Sequence, residues 1–113
     1  MHEKVLNSCY ELIIILENDN RAGRVIQNSF FKRGRIDNIW RIGRGEKISS
    51  EHTAVFPEKL VTTILSNFTQ EGDVILDSFA GGGNILLACK QLKRQYIGFE
   101  IDKNYVDICN KKL

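Results

Sequence analysis

Proline is nearly missing from this chain: Pro57 is the single one among 113 residues. That excludes proline-rich linkers and any segment built on consecutive prolines. Cysteine is scarce too. Cys9, Cys89 and Cys109 are odd in number, widely spaced and without a Cys-x-x-Cys pair, which fits neither a disulfide framework nor a zinc site. They read as reduced, mostly buried thiols of a cytosolic protein. No long apolar run occurs. The strongest, residues 10–16, is interrupted by Glu11 and is far shorter than a membrane span or a signal segment, so no membrane association is expected. Histidine is limited to two residues, and His52 has no second His, Cys or acid at metal-ligand spacing, so no metal is expected. Internal repeats and low-complexity stretches are absent.

What is present is ordinary for a globular protein, with 42% hydrophobic and 27% charged residues. One domain is expected. A chain this short buries a small fraction of its surface, so an unfinished core or an open sheet edge would need a partner. The net charge of +2 hides an asymmetry. Residues 21–47 hold eight Lys or Arg (Arg21, Arg24, Lys32, Arg33, Arg35, Arg41, Arg44, Lys47) against Asp37 and Glu46, a balance of +6 that leaves −4 for the remainder. With Phe30, Phe31 and Trp40 interleaved, this block has the composition of a surface that meets a phosphate backbone, its rings free to pack or stack. A solvated loop face carrying a few core aromatics has the same composition.

Hydrophobic periodicity divides the chain. Residues 11–16 form an apolar, β-branched run that predicts a buried strand, and Glu17-Asn18-Asp19-Asn20 predicts a turn. The stretch to about residue 51 has no sustained period and is expected to be mostly loop, with short strands around residues 24–31 and 38–42. From Pro57 the pattern changes. Leu60, Val61, Ile64, Leu65 and Phe68 recur at helical spacing behind a proline suited to a first turn, so residues 57–68 predict an amphipathic helix. Val74-Ile75-Leu76 is a continuous apolar run of the kind found in strands buried on both faces, ending at Asp77. A glycine-rich loop over residues 78–83, a helix over 84–92, a strand over 95–99 closed by Glu100 and a helix over 103–112 follow. Strand, glycine loop, helix, strand and helix make a right-handed β-α-β unit of a parallel sheet, a Rossmann-like α/β architecture.

The loop Asp77-Ser78-Phe79-Ala80-Gly81-Gly82-Gly83-Asn84 is the most informative segment. Its glycines allow a tight backbone path against a ligand, and the helix after it starts with its positive end toward that ligand. A pyrophosphate site wants Gly-x-Gly-x-x-Gly, which is missing, and Asp77 would repel phosphate. A carboxylate there favours a cationic ligand. Glu100, 23 positions on at the next strand tip, stands where a carboxylate in such folds can accept hydrogen bonds from both hydroxyls of a ribose, with Ile101 beside it able to cover an adenine face; taken alone, Glu100 also fits a solvated strand-end acid. An adenosine that carries positive charge, as S-adenosylmethionine does, satisfies both acids.

These residues resemble a known family. The 77–84 loop resembles the Asp-Pro-Phe-x-Gly-Ser-Gly-Thr loop of the S-adenosylmethionine-dependent DNA amino-methyltransferases, which modify adenine N6 or cytosine N4. Glu51-His52-Thr53-Ala54-Val55-Phe56-Pro57 resembles their His-x-Ala-x-Phe-Pro segment, which covers the methionine end of the cofactor. Residues 93–102 with Tyr105 resemble their Arg-x-Tyr-Ile-Gly-x-Glu-Ile strand and following helix. More loosely, residues 10–16 resemble the strand before the target-recognition region, and Ile39-Trp40-Arg41-Ile42 the Val-Trp-x-Ile at its end. The resemblance implies a partial Rossmann-like class I methyltransferase fold, an incomplete parallel sheet with flanking helices. It divides the chain into a strand and turn (1–20), a short basic recognition-like segment (21–51) and a cofactor-binding β-α-β region (52–113). The implied cofactor-binding residues are His52, Thr53, Ala54, Phe56, Pro57, Asp77, Ser78, Phe79, Ala80, Gly81, Gly83, Asn84, Glu100 and Ile101. Arg33, Arg35, Trp40, Arg41 and Arg44 are implied in DNA contact, and a cytoplasmic role in restriction-modification is implied by the same family.

Departures from the pattern matter. Ser78, Gly82 and Asn84 stand for the family's Pro, Ser and Thr, so a more flexible loop and weaker cofactor binding are expected. The family methylates an exocyclic amine through an Asp/Ser/Asn-Pro-Pro-aromatic loop whose ring stacks on the flipped base. With Pro57 as the one proline, no catalytic residue can be assigned. The expectation is therefore a cofactor-binding subunit or fragment that pairs with a second polypeptide carrying the catalytic half, or self-associates through an exposed apolar sheet edge. Two other readings stay open: a non-catalytic DNA-binding or relic regulatory module, and a methyltransferase of RNA or a small molecule.

Overall fold

A computed structural model describes residues 11–16, 29–32, 34–43 and 56–113. The ordered elements are α1 (Glu58–Phe68), β1 (Val74–Asp77), α2 (Asn84–Gln91), β2 (Gln95–Gly98) and α3 (Lys103–Lys112). The two strands pair in parallel, with Val74 opposite Gln95, Ile75 opposite Tyr96, Leu76 opposite Ile97 and Asp77 opposite Gly98. This is the α/β unit that the periodicity predicts, each boundary falling within a residue of the expected one.

The helix periodicity of α1 places Val61 and Leu65 inward, where they meet Ala88 and Cys89 of α2, with Ile75, Ile85, Leu92 and Tyr96 packed around them. Because Ile75 and Tyr96 are register partners, one face of the sheet carries both helices and all of this core. Cys89 is fully buried and Cys109 nearly so, which agrees with the reading of these two as buried thiols. Burial pushes the Cys89 thiol up from its ordinary value, with the Arg94 charge opposing and Asp77 adding. Cys9 lies outside the described residues.

The helix joints are closed by polar groups that the periodicity does not reveal. At the C-terminus of α1 the last carbonyls lack intrahelical partners, and Arg94 supplies donors from the start of β2. Its Nε donates to Thr69 Oγ1 at 3.0 Å and its Nη2 to the Thr69 carbonyl at 2.9 Å and the Leu65 carbonyl at 3.5 Å, while Nη1 reaches the Leu92 carbonyl at 2.5 Å. One guanidinium thus ties α1, the turn after α2 and β2 together, using the fork that a lysine does not have. At α3, Asp102 is the N-cap, its Oδ1 accepting from Asn104 N at 2.8 Å.

Three expectations need correction. Residues 11–16 form no strand: Leu12, Ile14 and Leu16 are 79%, 76% and 87% exposed. β-branched composition favours a strand only where a neighbouring strand supplies the ladder, and the described sheet pairs β1 with β2 alone. Residues 38–42, and residues 29–31 of the expected strand at 24–31, likewise adopt bends and coil; the turn at 17–20 and residues 24–28 lie outside the described residues. Finally, β1 is covered on one face. Val74 and Leu76 are 58% and 63% exposed, because strand alternation turns them away from the face on which α1 and α2 sit. Among the described residues no helix is long and apolar enough to cross a membrane.

Replacing Arg94 by alanine leaves the α1 carbonyls and Thr69 without these donors. A destabilisation of about 2 kcal/mol is expected, the size of a charged hydrogen-bond set in a partly buried setting, and is read from the urea midpoint at unchanged slope. A variant as stable as the parent would show that water caps α1 equally well.

Candidate functional site

The glycine loop is fixed at the carboxyl ends of the two strands by backbone bonds. Phe99 N donates to the Asp77 carbonyl at 2.9 Å, and Ala80 N donates to the Phe99 carbonyl at 2.8 Å, so the chain leaving β1 is stitched to the chain leaving β2. A tight turn follows, Gly83 N donating to the Ala80 carbonyl at 2.8 Å. Gly81 and Gly83 have φ of 50° and 79°, a region in which a side chain is strained. At Gly83 space is also closed. A Cβ would overlap Cys109 Sγ of α3 and lie 3.1 Å from its Cβ. The start of α2, Gly83 being its N-cap, therefore sits directly on α3.

Two carboxylates end the strands, and their surroundings differ. Asp77 Oδ1 accepts from Phe79 N at 3.1 Å, whereas its Oδ2 is buried with no hydrogen-bond partner among the described residues. A buried carboxylate oxygen without a donor is costly, so it marks a place where a donor belongs. Glu100 is held on both oxygens: Oε2 accepts from Gly81 N at 2.8 Å and Oε1 from Asp102 N at 2.9 Å. The Asp102 N–H, seconded by those of Gly81 and Ile101, lowers its pKa below the usual glutamate value and keeps it ionised. Ser78, Phe79, Phe99, Glu100 and Ile101 line an open cleft of about 400 Å³. That volume lies in the range of small-molecule sites. Phe79 and Ile101 are 89% and 101% exposed, so the cleft offers apolar walls around one carboxylate.

The fold thus gathers Asp77, Ser78, Phe79, Ala80, Gly81, Gly83, Asn84, Glu100 and Ile101 at one end of the sheet, as the sequence reading expects. Asp77 is not among the residues lining the cleft. Asn84 already uses its Oδ1, which accepts from Lys112 Nζ at 2.8 Å. Pro57 is the N-cap of α1 and Phe56 beside it is 54% exposed; neither lines the cleft. His52, Thr53 and Ala54, like Arg33 and Arg44, lie outside the described residues. Of the basic segment, Arg35 and Arg41 are exposed. Trp40 is half-buried and its Nε1 donates to the Asp37 carbonyl at 2.7 Å. Phe31 packs edge-on against Phe68 of α1, centroids 5.5 Å apart, and Phe30 N donates to the Asn67 carbonyl at 2.8 Å. Packing, not stacking, occupies the Phe31 ring. Sequence reasoning missed the tether of Glu100 to Gly81, the Arg94 cap and the seating of Gly83 on Cys109. Hydrophobic periodicity carries no sign of any of them, although Arg94 and Glu100 share one motif.

Comparison with known proteins gives a consistent neighbourhood. The family described as DNA methylase, the N6/N4 methyltransferases, matches residues 7–111. The chain is similar to the orphan methyltransferase M.BamHII of Bacillus amyloliquefaciens, with 40% identity over 93 residues, 77% of this chain and 35% of that protein. Among solved structures, M1.HpyAVI is 38% identical with a TM-score of 0.50, over 51% of this chain and 29% of that one. The PvuII DNA methyltransferase, described as cytosine-N4-specific, superposes with a TM-score of 0.61 at 24% identity, over 69% of this chain and 32% of that one, a likeness of fold. The chain spans between a quarter and about a third of the length of the curated relatives it matches first.

Alanine at Gly83 meets both the positive φ and Cys109. A destabilisation of roughly 2–3 kcal/mol is expected, from left-handed strain and overpacking together, measured by urea denaturation. Measured against Cys109→Ala alone, Gly83→Ala in that background should cost less, because the Sγ overlap is gone while the left-handed strain, about 1 kcal/mol, and the approach to the Cys109 Cβ stay. An equal cost in the two backgrounds would place the whole effect in the backbone.

Proposed function

The chain belongs to the family of N6/N4 DNA methylases, and from that premise we propose that it holds S-adenosylmethionine for transfer of a methyl group to adenine N6 or cytosine N4 in DNA. The observation that carries this reading is the cleft at the strand tips, where exposed Phe79 and Ile101 flank the Glu100 carboxylate. An adenosine needs an apolar face for its base and an acceptor for its ribose, and this cleft offers both. The buried Asp77 Oδ2, without a partner among the described residues, supports a cationic ligand over a phosphorylated one. When bound, S-adenosylmethionine supplies an activated methyl group; the chain's own residues bind and orient it. Glu100, kept ionised by three backbone N–H groups, takes the ribose hydroxyls. Asp77 contributes the negative potential that draws the cation. Phe79 and Ile101 exclude water from the base.

The stacking loop that would hold the target base must come from polypeptide beyond these 113 residues, since they contain one proline. The exposed sheet residues Val74, Leu76 and Ile97 support such an addition, whether another part of a longer chain, a separate subunit or a second copy. Arg35 and Arg41, exposed on the basic segment, are assigned to DNA phosphates, with Arg33, Arg44 and Trp40 beside them in sequence.

Calorimetric titration tests the cofactor claim. S-adenosylmethionine should bind and NAD should not; heat with neither would remove the reading. Glu100→Ala should weaken binding by about 1–3 kcal/mol, the worth of a charged hydrogen bond, and Asp77→Ala should weaken it as well, through the lost negative potential. For DNA, Arg35→Ala and Arg41→Ala should each make the plot of log affinity against log salt shallower, by roughly 0.9 for every phosphate that the arginine neutralises. An unchanged slope would take these arginines off the DNA.

A further inference from the structure

The hydrogen bond between Glu100 and Gly81 crosses 19 residues of sequence and joins two parts of the site that family motifs treat separately. The glycine loop has few internal restraints. Gly81 and Gly83 stand at positive φ, and a Cβ at Gly81 would meet nothing within 4 Å, so side-chain packing does not fix the backbone at Gly81. Asp77 Oδ1 restrains the first turn through Phe79 N, and Ala80 N is held by the Phe99 carbonyl. Beyond Ala80, the Gly81 N–H is held by the Glu100 carboxylate. Glu100 in turn is fixed by Asp102 N, at the N-cap of α3.

A carboxylate has about four lone-pair sites. In Glu100, Gly81 N and Asp102 N each take one, the Ile101 N–H adds to the lowering of its pKa, and the same residue lines the cleft. We propose that Glu100 is the positioning residue of the glycine loop: it holds Gly81 N–H so that the loop keeps the shape required at the non-ribose end of the ligand, while its remaining lone pairs face the ribose. This rests on the functional reading above and deepens it. A residue that only accepted ribose hydroxyls would act on the adenosine end of a ligand. A residue that also shapes the loop acts on the amino-acid end as well, through a part of the ligand it does not touch. Glutamine in its place has one acceptor oxygen and a donor amide, so it cannot receive both N–H groups. One of Gly81 and Asp102 must then go without its acceptor.

The test uses the whole chain and its Glu100→Gln variant, with amide exchange and a 1H–15N spectrum in the absence of ligand, then titrations with S-adenosylmethionine and with adenosine. The Gly81 amide should lose its downfield, charge-assisted shift and exchange at least about tenfold faster in the variant, while Ala88 and Cys89 amides in α2 keep their protection, showing that the fold persists. The affinity for S-adenosylmethionine should drop several-fold more than that for adenosine. Equal drops for the two ligands would reduce Glu100 to a ribose acceptor and overturn the proposal, as would an unmoved Gly81 amide. If the parent chain binds neither ligand, the functional reading fails, and the Gly81 amide still decides the tether on its own. Should glutamine unfold the chain, Glu100→Asp takes its place: one methylene shorter, it cannot span both N–H groups, and the same Gly81 and ligand-pair criteria apply.

Discussion

Close approach of backbone to its neighbours at two glycines is the constraint on which the rest of this structure depends. At Gly98 a Cβ would lie 2.5 Å from Leu86 Cδ1 and 3.1 Å from Ala80 Cβ, and at Gly83 it would overlap Cys109. The first missing side chain lets α2 and the loop settle onto the tip of β2; the second lets α3 settle onto the start of α2. Strand pairing puts Asp77 and Glu100 at adjacent strand ends, and the two close approaches bring the loop and α3 up to them, beside the core of Val61, Leu65, Ala88 and Cys89. Packing and site are one geometry here. Apolar burial favours the helices lying on the sheet, and the missing Cβ atoms decide how near the loop can come.

Charge then separates the two strand-tip acids into different tasks. Glu100 is engaged by backbone donors on the protein side and open on the other, which makes it both a structural and a recognising group. Asp77 keeps one oxygen buried and, among the described residues, unpaired, an unfavourable arrangement that a cationic ligand nearby would relieve. The asymmetry follows from position: Glu100 lines the cleft and Asp77 does not, its Oδ1 being taken by Phe79 N at the start of the loop.

How much of this is legible in the sequence differs by element. The two helices α1 and α2 and the strands between and after them are legible in residue pattern, because they pack on neighbours close in sequence, whereas α3 buries Cys109 alone. The run at 11–16 reads as a strand by the same logic, yet lies exposed. Its composition reports a preference for pairing; it cannot supply the partner strand. Val74-Ile75-Leu76 misleads in the same direction, since apolar residues on both faces show what the strand can accept in a larger sheet and not which face is covered among the described residues. By composition the aromatic residues of the basic segment are open to stacking or packing, and the ring of Phe68 decides for Phe31.

The sequence by itself determined the order of the elements, the glycine loop after β1, the acid at each strand tip and the family to which these motifs point, because those properties are local or written in residue spacing. Tertiary structure alone decided that Glu100 grips Gly81, that Arg94 closes α1, that Asp77 has an oxygen unpaired among the described residues and that one face of the described sheet is uncovered. The first two join groups 19 and 25 residues apart, and the last two are failures of such groups to meet in three dimensions. Hydrogen-bond partners and buried faces are properties of that meeting, and no period in the chain encodes them.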